Sequence, residues 1–247
     1  MTSLKATIRR TGRSPIFRVS WSENELAEFR KEGAQKIRLA ARERLAQFDL
    51  HLSWPKLLDL VTDKVILSHL TDVFDDDSFQ LVETRLYPKR PKSFVQWHID
   101  VKQLEYYEPS LLNSKSDNFH SVTTWLALGD VPVEMGPLQF VHYKHVDLQK
   151  LVRAWRHQAD RRYREECAAE AEYLRDHVET LPMKAGEFCM FDPRNLHTGA
   201  PNHSNQFRLG LVVRYCASHD RVDTRFSKSG LLRIIQIKNG RVIPPGI

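Results

Sequence analysis

The sequence is short of cysteine: only Cys167, Cys189 and Cys216 occur in 247 residues, widely spaced and with no C-x-x-C pair. That excludes a disulfide framework and a zinc knuckle, suits a reducing compartment, and makes a cytoplasmic location the expectation. The chain also lacks any apolar run near the roughly 18 residues of a spanning helix, so no membrane is expected as a partner. The first eighteen residues hold Lys5, Arg9, Arg10, Arg13 and Arg18 and no acid, but not the apolar core of a secretory signal. A frayed basic terminus is expected there. Internal repeats and low-complexity linkers are missing too.

What is present describes a folded chain. Hydrophobic residues make up 41% and charged residues 28%, values that exclude disorder and collagen-like repeats. The length fits one domain over 1–247, with helical support at about 21–70, a β core at about 78–240 and a helical insert at about 147–179. A net charge of +6 permits nucleic-acid or anionic-substrate binding and demands neither.

From Trp21 to about Phe48, apolar residues recur at mostly helical intervals, and Ser22 ahead of Glu25 forms a capping box. Pro55 opens another short helix through Leu60. Beyond Asp75-Asp76-Asp77, short runs rich in Val, Thr, Phe, Trp and Tyr alternate with turn residues. Strands are expected at Phe79–Tyr87, Phe94–Val101, Ser121–Ala127, Leu138–Val141, Glu187–Phe191, Phe207–Tyr215 and Leu232–Ile237. Strands without intervening helices indicate a barrel or sandwich. The exception, Asp147–Glu179, carries one apolar stripe and mixed charge, which reads as a solvated helical hairpin and not a nucleic-acid-binding helix.

The chemistry concentrates around Trp97-His98-Ile99-Asp100. Alternate residues of a strand share a face, so His98 and Asp100 point the same way, with Gln96 and Lys102 beside them. An imidazole and a carboxylate so placed are two thirds of a 2-His-1-carboxylate facial triad for Fe(II). His197, after a strand and a Pro-containing turn, is the best placed second histidine. Further on, Arg208, Gly210, Val212 and Arg214 share one strand face, and a buried arginine there calls for an anion, most economically a bidentate carboxylate.

These residues, with SVTTWLALGDVPVEMGPLQFV between them, resemble the phytanoyl-CoA dioxygenase (PhyH) family of Fe(II)/2-oxoglutarate-dependent oxygenases over roughly Phe79 to Tyr215. The resemblance implies a mainly β, cupin-like jelly roll, a double-stranded β-helix, with His98, Asp100 and His197 on iron and Arg208 on the distal carboxylate of 2-oxoglutarate. Trp125 falls where a family tryptophan lies near the cosubstrate. Family members use a hydroxyl two residues after the distal histidine; this chain has Gly199 there, and Thr198 or a water is the substitute considered. The usual P-G-S-H turn is replaced by His142-Tyr143-Lys144-His145.

Fe(II), 2-oxoglutarate and O₂ are therefore the implied cofactors, with succinate and CO₂ as coproducts. Three protein ligands leave room on iron for a chelating 2-oxo acid and O₂. Retention of Asp100 disfavours halogenation. Hydroxylation of a small organic molecule is the expected outcome, and desaturation, cyclisation or epimerisation are alternatives at the same site. Lys102 and Arg214, facing inward, would suit an anionic substrate unless one pairs with a protein carboxylate such as Glu105 or Glu83. Arg85, on the preceding strand, is a further candidate for the cosubstrate's other carboxylate. A non-catalytic basic jelly-roll module is the alternative of another class; nucleic acid is not the expected partner.

Overall fold

The computed structural model describes residues 3–43, 49–100, 121–157, 160–218 and 234–243. Among these no helix is long and apolar enough to cross a membrane.

The N-terminus is ordered, which corrects the expectation of a frayed end. Helix α1 (Leu4–Thr11) is capped by the Ser3 hydroxyl, which accepts from the Ala6 N–H, and is closed by Gly12 at φ 89°. Its basic side chains concealed two apolar positions four apart, Leu4 and Ile8, which share a buried face. After a two-residue strand β1 (Phe17–Arg18), α2 (Glu23–Glu43) starts at the expected capping box: Glu25 accepts from the Ser22 N–H at 2.7 Å. The extension of this helix toward Leu45 and Phe48 lies outside the described residues. Helix α3 (Pro55–Val61) is followed by α4 (Lys64–Phe74), which carries the helical support a little past residue 70 and whose N-cap Asp63 accepts from the Val65 and Ser20 N–H groups.

Strands β2 (Ser78–Lys89), β3 (Val95–His98), β4 (Ser121–Ala127) and β5 (Leu138–Val141) follow. Helices α5 (Leu148–His157) and α6 (Asp160–Tyr173) make up the insert. The expected helical stretch to Glu179 ends early, because Val178–Leu181 pairs with β5 as strand β6. The chain continues through β7 (Glu187–Phe191), β8 (His197–Gly199), β9 (Arg208–Ala217), β10 (Ile235–Lys238) and β11 (Arg241–Ile243).

All strand pairs are antiparallel and form two facing sheets, one ordered β1-β7-β4-β9-β2-β10-β11, the other β3-β8-β5-β6. This is the curled, jelly-roll-like arrangement expected. Alternation on β9 sorts its residues: Leu211, Val213 and Tyr215 pack outward on the N-terminal helices, while Arg208, Val212 and Arg214 face the space between the sheets. Phe140, Leu138, Phe191 and Trp125 close the apolar part of that space, and the insert buries its own cluster around Leu151, Tyr163 and Cys167.

Ile8 is fully buried in the cluster joining helices and large sheet. Ile8→Ala should therefore cost about 2–4 kcal/mol in urea unfolding. A frayed terminus would give no change.

Candidate metal centre

Three donors converge between the sheets. One ligand atom from each of His98, Asp100 and His197 lies within 4.8 Å of the others. His98 Nε2 stands 3.7 Å from Asp100 Oδ1, and the two imidazole centroids are 4.2 Å apart. Each ring is fixed by the same device: Nδ1 of His98 donates to the Gln96 carbonyl at 2.8 Å, and Nδ1 of His197 to the Asn195 carbonyl at 2.8 Å. A carbonyl can only accept, so each Nδ1 carries its proton and each Nε2 keeps a lone pair for a metal. Burial pulls the His98 pKa down to about 4, with the neighbouring His197 adding to it, and burial also lowers that of His197. Both rings are thus neutral at physiological pH, the form that ligates.

Asp100 is held from several sides. Its N–H donates to the Pro193 carbonyl at 2.7 Å. Its Oδ2 accepts from Arg214 at 3.1 Å and from Thr123 at 3.3 Å, which leaves Oδ1 to the centre. Burial alone would push this carboxyl up, but Arg214 and the imidazoles outweigh it and bring the pKa down to about 2. Two neutral nitrogens and one carboxylate oxygen, with open space in front, form a donor set that fits Fe(II).

Several loops supply the supports. Strand β3 ends at His98, short of the expected Val101, and the Tyr163 hydroxyl from α6 takes over, accepting from the Ile99 N–H at 2.9 Å and donating to its carbonyl at 3.0 Å. The loop before His197 rests on the N-terminal segment, where the Asp192 N–H donates to the Gly12 carbonyl. A Cβ at Gly12 would come within 2.4 Å of the Asn195 side chain, so glycine permits that approach.

Arg208 and Trp125 line the same cavity as the three donors. Arg208 is buried, with its guanidinium 5.1 Å over the Trp125 ring. Its Nη1 donates to the Gly136 carbonyl, whereas its buried Nε has no hydrogen-bond partner among the described residues. A Cβ at Gly210 would come within 2.4 Å of Trp125, so glycine lets the ring lie across β9. Arg85 also lines the cavity, its guanidinium 4.9 Å over the Tyr87 ring.

Three sequence expectations need correction. Gln96 does not share the face of His98: the β3–β8 register slips between Val95 and His98, so Gln96 turns to the outer surface beside Arg161. Thr198 is not available to a cosubstrate through its hydroxyl, which donates to the Val95 carbonyl. Arg214 is bound to protein carboxylates, Glu83 at 2.8 Å and Asp100 at 3.1 Å, and so orients a ligand instead of greeting a substrate. Lys102 lies outside the described residues. The sequence reading missed Lys89, buried at the end of β2, and Trp155, Tyr163 and Arg164, which bring the insert to the cavity wall. The alternation Arg85, Tyr87, Lys89 could have revealed the first; nothing local signalled the others.

Comparisons with known proteins bear on the family and the fold. The family profile described as Phytanoyl-CoA dioxygenase (PhyH) matches residues 2–210. No curated protein sequence matches the chain. Among solved structures, a nickel complex of the non-heme monooxygenase ThoJ shares 16% identity at TM-score 0.65, covering 89% of this chain and 79% of that one. The epimerase SnoN in complex with Fe3+, alpha ketoglutarate and nogalamycin RO shares 21% at TM-score 0.65, covering 89% and 84%. EctD from S. alaskensis with 2-oxoglutarate and 5-hydroxyectoine shares 17% at TM-score 0.64, covering 88% and 76%.

Arg214→Met removes the main charge holding Asp100 ionised and aimed. Co(II) affinity, followed by absorbance titration, should fall about 10- to 100-fold. With the Asp100 pKa freed to rise, the pH at which metal is half released should move upward. An unchanged affinity and release profile would refute this role.

Proposed function

Since the chain belongs to the phytanoyl-CoA dioxygenase (PhyH) family of Fe(II)/2-oxoglutarate-dependent oxygenases, we propose that it hydroxylates a small anionic molecule between its two sheets. The observation that carries this reading is the convergence of His98, Asp100 and His197, lone pairs inward, in one cavity with Arg208. Bound iron, with 2-oxoglutarate and O₂, supplies the oxidising chemistry, with succinate and CO₂ as coproducts. The chain's own part is to present two neutral imidazoles and an ionised carboxylate, to hold the diacid, and to keep water away. Arg208, with an unpartnered Nε and Trp125 beneath it, is the anchor for the distal carboxylate. Trp155, Tyr163 and Phe191 supply apolar wall around a cavity of about 400 Å³, within the size range of small-molecule sites.

Charge supports an anionic substrate. The cavity is lined by Arg85, Arg164, Arg208 and Arg214, and by Asp100 as its carboxylate among the described residues. Asp100 and Glu83 both engage Arg214. Arg85, Arg164 and Arg208 give the rest of the wall its positive character beside the space left for substrate. This arrangement favours catalysis over a basic binding module, whose positive charge would be displayed outward. Buried thiols at Cys167, Cys189 and Cys216, none in a disulfide, support a reducing, cytoplasmic setting.

A panel of small carboxylates, sulfonates and phosphates, read by succinate release, tests the reading. The best substrate should lose about 10- to 100-fold in kcat/KM with Arg164→Ala, mainly through KM. Oxygen from labelled O₂ should appear in the product. Turnover confined to neutral compounds would refute the anionic assignment, and unlabelled product would favour the epimerising or cyclising alternatives.

A further inference from the structure

We infer that Lys89 is a second cation for the distal carboxylate of the cosubstrate, working beside Arg208 in the room that Gly199 leaves open. This rests on the reading of the cavity as a 2-oxoglutarate site. Lys89 and Arg208 are register partners across the β2–β9 ladder. Lys89 is 2% exposed, and its Nζ donates to the Gly136 carbonyl at 3.1 Å and to that of Ala200. Arg208 donates to the same Gly136 carbonyl. Two buried cations therefore share one neutral acceptor, and neither has a carboxylate partner among the described residues. Such a pair is costly alone and well suited to a carboxylate with two oxygens to offer.

Position 199 fixes where that carboxylate group would be met. On β8, residues 197 and 199 alternate to the same face, and a Cβ at Gly199 would lie 2.9 Å from Lys89 Nζ. The ammonium thus stands where a side chain of residue 199 would otherwise reach the cavity, and Thr198 cannot take that part because its hydroxyl is engaged. Among the described residues, the charged and titratable groups around Nζ are Arg208 from β9 and, beside Arg208, Tyr87 on Lys89's own strand; the segments after β8 and before β5 present carbonyls. Burial, reinforced by Arg208, lowers the Lys89 pKa to about 7. Above that pH the amine must regain a proton when an anion docks, so diacid binding takes up protons and weakens as pH rises.

The test is calorimetric titration of the Co(II)-loaded protein with 2-oxoglutarate between pH 6.5 and 8.5, in buffers of different ionisation enthalpy. The wild-type protein should take up close to one proton per diacid at pH 8, and its affinity should fall roughly tenfold from pH 7 to pH 8.5. Lys89→Met should weaken binding about 10- to 100-fold at pH 7 and abolish the uptake, while binding of pyruvate, which lacks the distal carboxylate, stays unchanged. Lys89→Arg, permanently charged, should keep the affinity and lose the pH dependence. Diacid binding without proton uptake in the wild-type protein, or with uptake and affinity intact in Lys89→Met, would overturn the assignment of Lys89 alone. No diacid binding by the wild-type protein would overturn the cosubstrate reading itself. Should Lys89→Met not fold, the wild-type uptake and the Lys89→Arg profile decide the question.

Discussion

A guanidinium inside a barrel dictates much of what surrounds it. Arg214 projects from β9 into the space between the sheets, where it cannot be hydrated and cannot lose its proton. Glu83, from the adjacent β2, and Asp100 both reach it and make it tolerable there. That requirement aims Asp100: one carboxylate oxygen is committed to Arg214 and Thr123, and the other is left to face the two imidazoles. The pair does more than neutralise charge. It gives the carboxylate a single orientation and keeps it ionised across the physiological range, both of which a metal ligand needs.

The other ligands depend on parts of the chain that are distant in sequence. His98 sits at the end of a short strand, and just beyond it the Ile99 backbone is held by the hydroxyl of Tyr163 on the insert. His197 is aimed by the Asn195 carbonyl, and Asn195 is packed against Gly12 at the end of α1. The N-terminal helix and the insert are thus working supports of the centre. Removing either would leave the donor residues in place in the sequence and loose in space.

Strand alternation explains why so much of the centre was legible. Once β9 is recognised as a strand with an apolar outer face, the inward placement of Arg208 and Arg214 follows, and the H-x-D spacing places two ligands together. The central strands of the large sheet were legible for the same reason: their β-branched and aromatic runs are bounded by clear turns. What failed was whatever alternation does not govern. A bulge moved Gln96 to the outer face. The helical pattern of Leu4 and Ile8 was too short to stand out against basic neighbours. Strand β6 was hidden because His177-Val178-Glu179 reads as a continuation of a helix until β5 offers it an edge.

The two arginines of β9 differ in a way that divides the cavity's labour. Arg214 is satisfied by the protein, so its charge is spent on geometry. Arg208 is satisfied only in part, by a carbonyl and an aromatic face, so it retains affinity for an anion from outside. A chain that had neutralised both would hold its metal ligands well and bind no diacid; one that had neutralised neither would have no fixed carboxylate to offer the metal. The separation works because β2 supplies a carboxylate, Glu83, at one end of the ladder and a lysine, Lys89, at the other. Six residues along one strand therefore take the cavity from a self-contained ion pair to a cationic end, and two of the metal donors, His98 and His197, lie on the facing sheet.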